Sequence, residues 1–458
     1  MSVYKYRIYC NDESTYNYVW NTTPPTTCPN NNTHVIDNTT ITVVDSISND
    51  EQKLNVDIFE RLKVVNATTV YSNHNAFGAK SICHDNRTDG GGTVSIDISN
   101  SCKLLTVNNI GDRAVSQSRQ YFTYIPGYSK FIYISGVFQT TLTPGIRTRI
   151  GVFDNHYDKT VDSKGNGHYY EYYNGGMFVV ERSSTNGTDQ TDVRVAQNDW
   201  NTDRMDGTGK SKLSIDPSKG LLMLIEYAWL GVGITRMGFL IGGRVYWAHI
   251  WDHSHLQCPY ILYAKLPIRY EIQNISAANT TATSRAICQS VQLESSNISS
   301  VSHGTSVTFC EDTERIASKA TWLPIFSLRT SVAGTRRTIA ITKLTIITDI
   351  RAIKWRLILN PVLIGPNWRP VLLHPDSAAE YDTTSPIVWQ DSNNVQAGFP
   401  FESGVIAPNC SETYTFGAPY EVTLNANIAG ISDIITLQAR GVSNTATFSY
   451  SIDWIELY

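Results

Sequence analysis

The sequence is short of charge. Of 458 residues only 17% are Asp, Glu, Lys or Arg, against 41% apolar. Helices of soluble proteins usually carry charged outer faces, so the shortage argues against a helical enzyme. No basic run stands out and the net charge is −4, which leaves no electrostatic footprint for nucleic acid. Arg336–Arg337 is an isolated pair and reads as a solvated turn. Met1–Cys10 lacks the basic start and apolar run of a signal peptide. The best candidate for a membrane span, Leu221–Ile241, contains Glu226, Arg236 and three glycines. It reads as a buried hairpin, and no membrane span is expected.

Catalytic signatures are missing as well. There is no Gly-x-Ser-x-Gly, no His-Glu-x-x-His and no dinucleotide fingerprint. The triplet Gly90-Gly91-Gly92 has no Lys or helix at phosphate-loop spacing, so it reads as a hairpin tip. No catalytic residue and no cofactor are expected, and the chain is read as a protein that binds and assembles, not as an enzyme. Unpaired loop acids leave glycoside cleavage as an open alternative, because an acid pair forms only in the fold. The eight cysteines contain no Cys-x-x-Cys and are too sparse for a disulfide scaffold. They read as buried free thiols, although an even count permits disulfides. Ten Asn-x-Ser/Thr triplets occur, as expected by chance in a chain so rich in Asn and Thr.

What is abundant is Thr, Ser and Asn, with 25 Tyr and 10 Trp. Thr, Tyr and Trp suit pleated, half-buried surfaces, and Asn and Gly suit turns. The expected fold is all-β: antiparallel, jelly-roll-like β-sandwich domains in tandem, with a small N-terminal module. Residues 1–50 read as that module, 51–115 as a region of short β segments, and 116–275 as a central sandwich. Residues 276–317 read as a Ser/Thr/Asn-rich connector and 318–458 as a second sandwich. Leu221–Leu230, Ile234–Ile241 and Val245–Trp251, joined by glycine turns, read as an antiparallel meander. In the last strand Ala446, Phe448, Tyr450, Ile452 and Trp454 alternate with polar residues, which fixes the register.

Four constellations are candidates for chemistry. His249, His253 and His255, beside Asp252, could hold Zn²⁺ or could merely be a polar strand end. Asp154, Asp158 and Asp162 lie in one loop, and Asp199, Asp203 and Asp206 in another. Their spacing is not that of an EF-hand, so solvated acids are the alternative to Ca²⁺. Cys10, Cys28 and His34 supply three zinc-type ligands without a fourth. Trp200, Trp229, Trp247 and Trp251 are either a sugar-stacking platform or part of the core. The loop Asp154–Gly167 and the segment His249–Pro259 are candidate contact surfaces.

Several segments, taken in order, resemble a family of phage and large-virus virion proteins. They include VDIFERLKVVNATTVYS (Val56–Ser72), SRQYFTYIPGYSKFIYISGVF (Ser118–Phe138), QNDWNTDRMDGTGKSKLSID (Gln197–Asp216) and EYAWLGVGITRMGFLIGG (Glu226–Gly243). LPIRYEIQN (Leu266–Asn274), LILNPVLIG (Leu357–Gly365), SAAEYD (Ser377–Asp382) and ISDIITLQAR (Ile431–Arg440) follow. Tyr4–Cys10, Pro25–Asn30 and His34–Asp37 are similar to a module that recurs in virion proteins. The resemblance implies a minor capsid, vertex, tail or fibre component located in the virion after synthesis in the host cytoplasm. Its partners would be copies of itself and other virion proteins. The alternative is an attachment protein that binds host-surface glycans.

Overall fold

The computed structural model describes residues 2–21, 23–48, 67–76, 83–155, 165–185, 191–278, 280–294, 304–331, 337–371, 377–386, 398–416 and 423–457. Among them there is no α-helix, and the strands form five antiparallel sheets. The all-β, sandwich reading of the composition is what the chain adopts.

Three strands form a small sheet at the N-terminus. Ser2–Cys10 lies between Thr15–Asn21 and Ile36–Ser48. Among the described residues its core holds Tyr6, Ile8, Cys10, Cys28 and Ile36, with Val19, Ile41 and Val43 packed against them.

The central sandwich has two large sheets. One runs Thr191–Ala196, Gly176–Ser183, Gly167–Tyr173, Ile146–Phe153, Ile268–Asn274, Arg113–Ser118, His84–Asp89. The other runs Arg244–Trp251, Thr235–Ile241, Leu221–Tyr227, Lys130–Val137, Ala282–Leu293, Cys102–Val107, Thr93–Asp97, with Thr68–His74 also paired to Ala282–Leu293. The meander is present as three paired strands. Its link Gly242-Gly243 has φ of +59° and +81°, left-handed values that glycine enters without a Cβ penalty. Ile150, Val152, Tyr170, Ile268, Tyr270 and Ile272 from the first sheet meet Ile132, Ile134, Met223, Ile225 and Met237 from the second in one core.

Three readings of the sequence differ in the structure. The stretch 51–115 is not a region of its own, since its described strands complete the two sheets of the central sandwich. Gly90-Gly91-Gly92 is not a hairpin tip: the strands on either side belong to different sheets, so it turns a corner between them. The stretch 276–317 is not a connector. Ala282–Leu293 pairs with Lys130–Val137, Cys102–Val107 and Thr68–His74 deep in a sheet. Its buried residues are the small Ala282, Ser284 and Ala286 in the first half and Gln289, Val291 and Leu293 in the second; the Tyr270 hydroxyl donates to the carbonyls of Ser135 and Cys288. Small side chains imitate a linker in composition but here fill a crowded interior.

The second sandwich packs two six-stranded sheets around Phe326, Trp355, Leu437 and Trp454. In Ala446–Leu457 buried and half-buried residues alternate along nearly the whole strand. The two sandwiches are bonded to each other. Lys265 donates from Nζ to the Leu457 carbonyl at 2.9 Å, Ile428 donates its N–H to Asp85 at 2.9 Å, and Arg119 pairs with Asp433.

Trp454 is fully buried. Replacing it with Ala is expected to lower the stability of the second sandwich by about 3–5 kcal/mol through lost burial and a residual cavity. Urea unfolding followed by tryptophan fluorescence and circular dichroism checks this, and an unchanged midpoint would contradict the packing described.

Candidate functional site: the outer face of the seven-stranded sheet

Alternation puts apolar residues of the seven-stranded sheet toward the core and leaves a second face. Segments such as Ile146–Phe153 and Ile268–Asn274 place Arg147, Arg149, Arg269 and Glu271 on that second face. Directly paired residues share a face. Arg87, Val115, Glu271, Arg149, Glu171, Phe178 and Ala196 therefore form one row across the seven strands. The next row holds Asp85, Gln117, Arg269, Gly151, Tyr169, Val180 and Arg194.

The charges at the centre of this face are buried. Glu171 is 1% exposed, Arg182 1%, Arg269 2%, Glu271 2% and Arg149 5%. Such groups are tolerated only when paired. Arg149 reaches Glu171 at 3.2 Å and Glu271 at 3.4 Å, and Arg113 reaches Glu271 at 3.2 Å. Arg194 binds Glu171 at 2.8 Å, and Arg182 binds Asp192 at 2.8 and 3.1 Å. The guanidiniums also lie over rings: Arg182 and Arg269 over Phe153 at 5.4 and 5.2 Å, Arg182 over Tyr169 at 5.2 Å. Gly151 makes room for this stacking, because a Cβ there would fall 2.5 Å from the Tyr169 Cα.

Burial alone would raise the Glu271 carboxyl, but Arg113, Arg149, Arg269 and Arg182 outweigh it and hold it well below the usual range. Burial likewise opposes the Asp192 charge, yet Arg182 brings it down to about 2. Burial lowers Arg147 to about 10, which leaves it charged at neutral pH. A general acid for glycoside cleavage needs a raised pKa. Glu271 has the opposite. Toward the rim, half-buried Arg147, Gln273, Tyr173 and Phe178 and exposed Arg194 offer planar donors beside aromatic rings, with Arg147 Nη2 donating to Gln273 at 2.7 Å.

A second polar cluster lies inside the sandwich. His253 bonds through Nε2 to Glu181 at 2.8 Å and through Nδ1 to the Gly233 carbonyl at 2.5 Å, and it stacks on Tyr260 at 3.7 Å. His168 is wholly buried, 3.3 Å from the Thr235 hydroxyl and 3.8 Å from Glu181. Burial, with help from His253, pushes the His168 imidazole down to about 3.

The histidine candidates separate. His249 accepts the Asn201 N–H at 3.3 Å and sits edge-on to Trp251, His253 engages Glu181, and His255 is exposed. A β-bulge between Met237 and Gly238 and the turn after Trp251 send the three rings different ways. Asp154 is a structural anchor that accepts from the Asn166 N–H at 3.1 Å and the Tyr263 hydroxyl at 2.9 Å. Asp158 and Asp162 lie outside the described residues. Asp203 and Asp206 accept backbone N–H groups of their own loop, and Asp199 is exposed. The tryptophans form no common platform. Trp200, Trp229 and Trp251 pack on the core, and Trp247 lies under Arg236 at 4.6 Å. Cys10, Cys28 and His34 do converge, joined by Glu13. The buried-thiol reading fits Cys10, Cys28 and Cys102, whereas Cys258, Cys288 and Cys310 are exposed.

The arginine–glutamate rows were missed by motif reading. Their signal was present as period-two alternation of charge with Ile, Tyr and Val in 146–153 and 268–273.

No family model and no curated protein sequence matches the chain. Among solved structures, an endo-β-1,4-glucuronan lyase from the fungus Trichoderma reesei is similar over 49% of this chain and 95% of its own, at 10% identity and a TM-score of 0.35. A Bacillus licheniformis β-glucanase covers 50% of this chain and 98% of its own, at 10% identity and 0.32. A legume lectin-like domain from Entamoeba histolytica gives the same coverage and identity at 0.32. Enzymes and lectins thus stand side by side, and likeness at this level says nothing of what this chain binds or does.

An imidazole with a depressed pKa makes folding sensitive to acid. Between about pH 6.5 and 3 the unfolded chain takes up a proton that the folded chain refuses at His168, so stability falls as pH falls. Wild-type protein is expected to lose about 2 kcal/mol more than His168→Asn between pH 7 and pH 5. Denaturant titrations at both pH values check this, and equal pH slopes would contradict it.

Proposed function

We propose that the chain is a structural component of a virus particle, working by assembly with copies of itself and with other particle proteins. The observation that carries this reading is the direct bonding of the two sandwiches through Arg119, Lys265 and Asp85, which couples contacts made on one to the other. The ordered likeness of segments from Val56 to Arg440 to virion proteins supports it. So does the chemistry of the charged sheet face, where Glu271 is held ionised and bonded, a state suited to stiffening a sheet and unsuited to donating a proton. On this reading the chain resides in the particle after synthesis in the host cytoplasm.

A second reading, a carbohydrate-binding attachment protein, is favoured by the rim at Arg147, Tyr173, Gln273 and Phe178. Planar donors beside aromatic rings are the usual furniture of sugar recognition. The two roles are compatible in one particle protein.

Quantitative mass spectrometry of gradient-purified particles, before and after gentle protease treatment, tests the leading reading. A fixed copy number per particle is expected; early loss to protease would mark an outer fibre or spike. Absence from particles would overturn the proposal, and binding on a glycan array would then favour the second reading.

A further inference from the structure

The N-terminal sheet carries a side-chain cluster that neither the assembly reading nor the sheet face accounts for. Cys10 closes the strand Ser2–Cys10, and Glu13 lies in the tight turn that follows. Cys28 comes from the Pro-rich loop, and His34 stands just before the strand Ile36–Ser48. Two thiols, a carboxylate and an imidazole thus meet at one end of the sheet, with all four ligand atoms within 4.8 Å of one another.

The separations are those of a coordination shell. Cys10 Sγ is 3.8 Å from His34 Nδ1, Cys28 Sγ is 3.5 Å from Glu13 Oε1, and His34 Nδ1 is 3.3 Å from Glu13 Oε1. Tetrahedral zinc with bonds of about 2.0–2.3 Å sets its ligands about 3.3–3.8 Å apart. The surroundings orient the ligands. Asn17 and Asn30 donate to Glu13 Oε2 at 2.7 and 3.0 Å, which leaves Oε1 aimed at the thiols. The Asn31 side chain lies 3.1 Å from His34 Nε2, the ring nitrogen turned away from the cluster. Such outer partners are what metal ligands need to hold their geometry.

Stability gives an independent reason. The buried residues described in this sheet are few and include both thiols. Units of this size are commonly stapled by a metal or by disulfides. Cys10 and Cys28 are themselves part of that core and are free thiols. Thiols are weak hydrogen-bond formers, so two of them facing a carboxylate and an imidazole gain little without an ion.

We propose that Cys10, Glu13, Cys28 and His34 form a structural zinc site that staples the N-terminal sheet. The soft thiolates select zinc over calcium or magnesium, and four protein ligands close the shell against catalysis. Binding releases the thiol protons and joins the turn, the loop and the third strand. The site is independent of whether the chain belongs to a particle.

The test is elemental analysis of the full chain, purified under reducing conditions without chelator. The expected result is about one zinc per chain, lost in Cys10→Ser and Cys28→Ser and kept in Cys310→Ser. Should the serine variants fail to fold, the wild-type chain stripped with chelator is titrated with Co²⁺. Intense visible bands of tetrahedral, thiolate-bound cobalt support the site. A weak octahedral spectrum, wild-type protein without zinc, zinc unchanged in both serine variants, or a Cys10–Cys28 disulfide in reduced-purified protein would each overturn it.

Discussion

In the middle of the seven-stranded sheet a carboxylate with almost no exposure lies among guanidiniums, and the rest of that face is arranged around it. Glu271 meets Arg113 and Arg149 directly, and Arg149 passes the contact to Glu171 and so to Arg194. Removing one member would leave another buried and unpaired, which costs far more than an exposed ion pair contributes. The rows therefore demand their own register: a one-residue slip of any strand would turn its charges into the apolar core.

This constraint shapes what the molecule can do. Phe153 and Tyr169 exclude water beneath the guanidiniums, so the face is stiff and its charges are committed to one another. His253 and Glu181 act similarly inside, fixing the segment after Trp251 to the strand Gly176–Ser183. Several polar groups that the sequence offers to chemistry, Asp154, Asp203 and His253 among them, are tied into the scaffold. What is left half-buried or exposed is suited to contact: the rim at Arg147 and Tyr173, and apolar positions such as Val193, Leu230 and Leu256.

The legibility of the fold followed its periodicity. Ala446–Leu457 and the meander were readable because their alternation is uninterrupted and their turns are glycines. Ala282–Leu293 was legible only from Ala286 on, as a strand within a connector, because its first half is Ser/Thr/Ala-rich and its register shifts between Ala286 and Cys288. The histidines were left open between a metal site and a polar strand end, because a bulge and a turn decide where each ring points. At the N-terminus, Cys10, Cys28 and His34 were visible as ligand types, but Glu13 stood hidden in the run Asn11-Asp12-Glu13, where no spacing rule says which side chain turns inward. The charged rows were overlooked for a simpler reason. A low overall charge draws attention away from charge, although a cluster of it is gathered on one face.

The mutual commitment of the buried charges is most directly tested by a double-mutant cycle on Arg149 and Glu271. Unfolding free energies would be measured for the wild type, Arg149→Met, Glu271→Gln and the double variant. The structure predicts a coupling of about 2–3 kcal/mol, with the double variant much less destabilised than the sum of the single ones. Additivity within about 0.5 kcal/mol would contradict it, and would mean that these charges are held apart in solution and the face is free to bind something else.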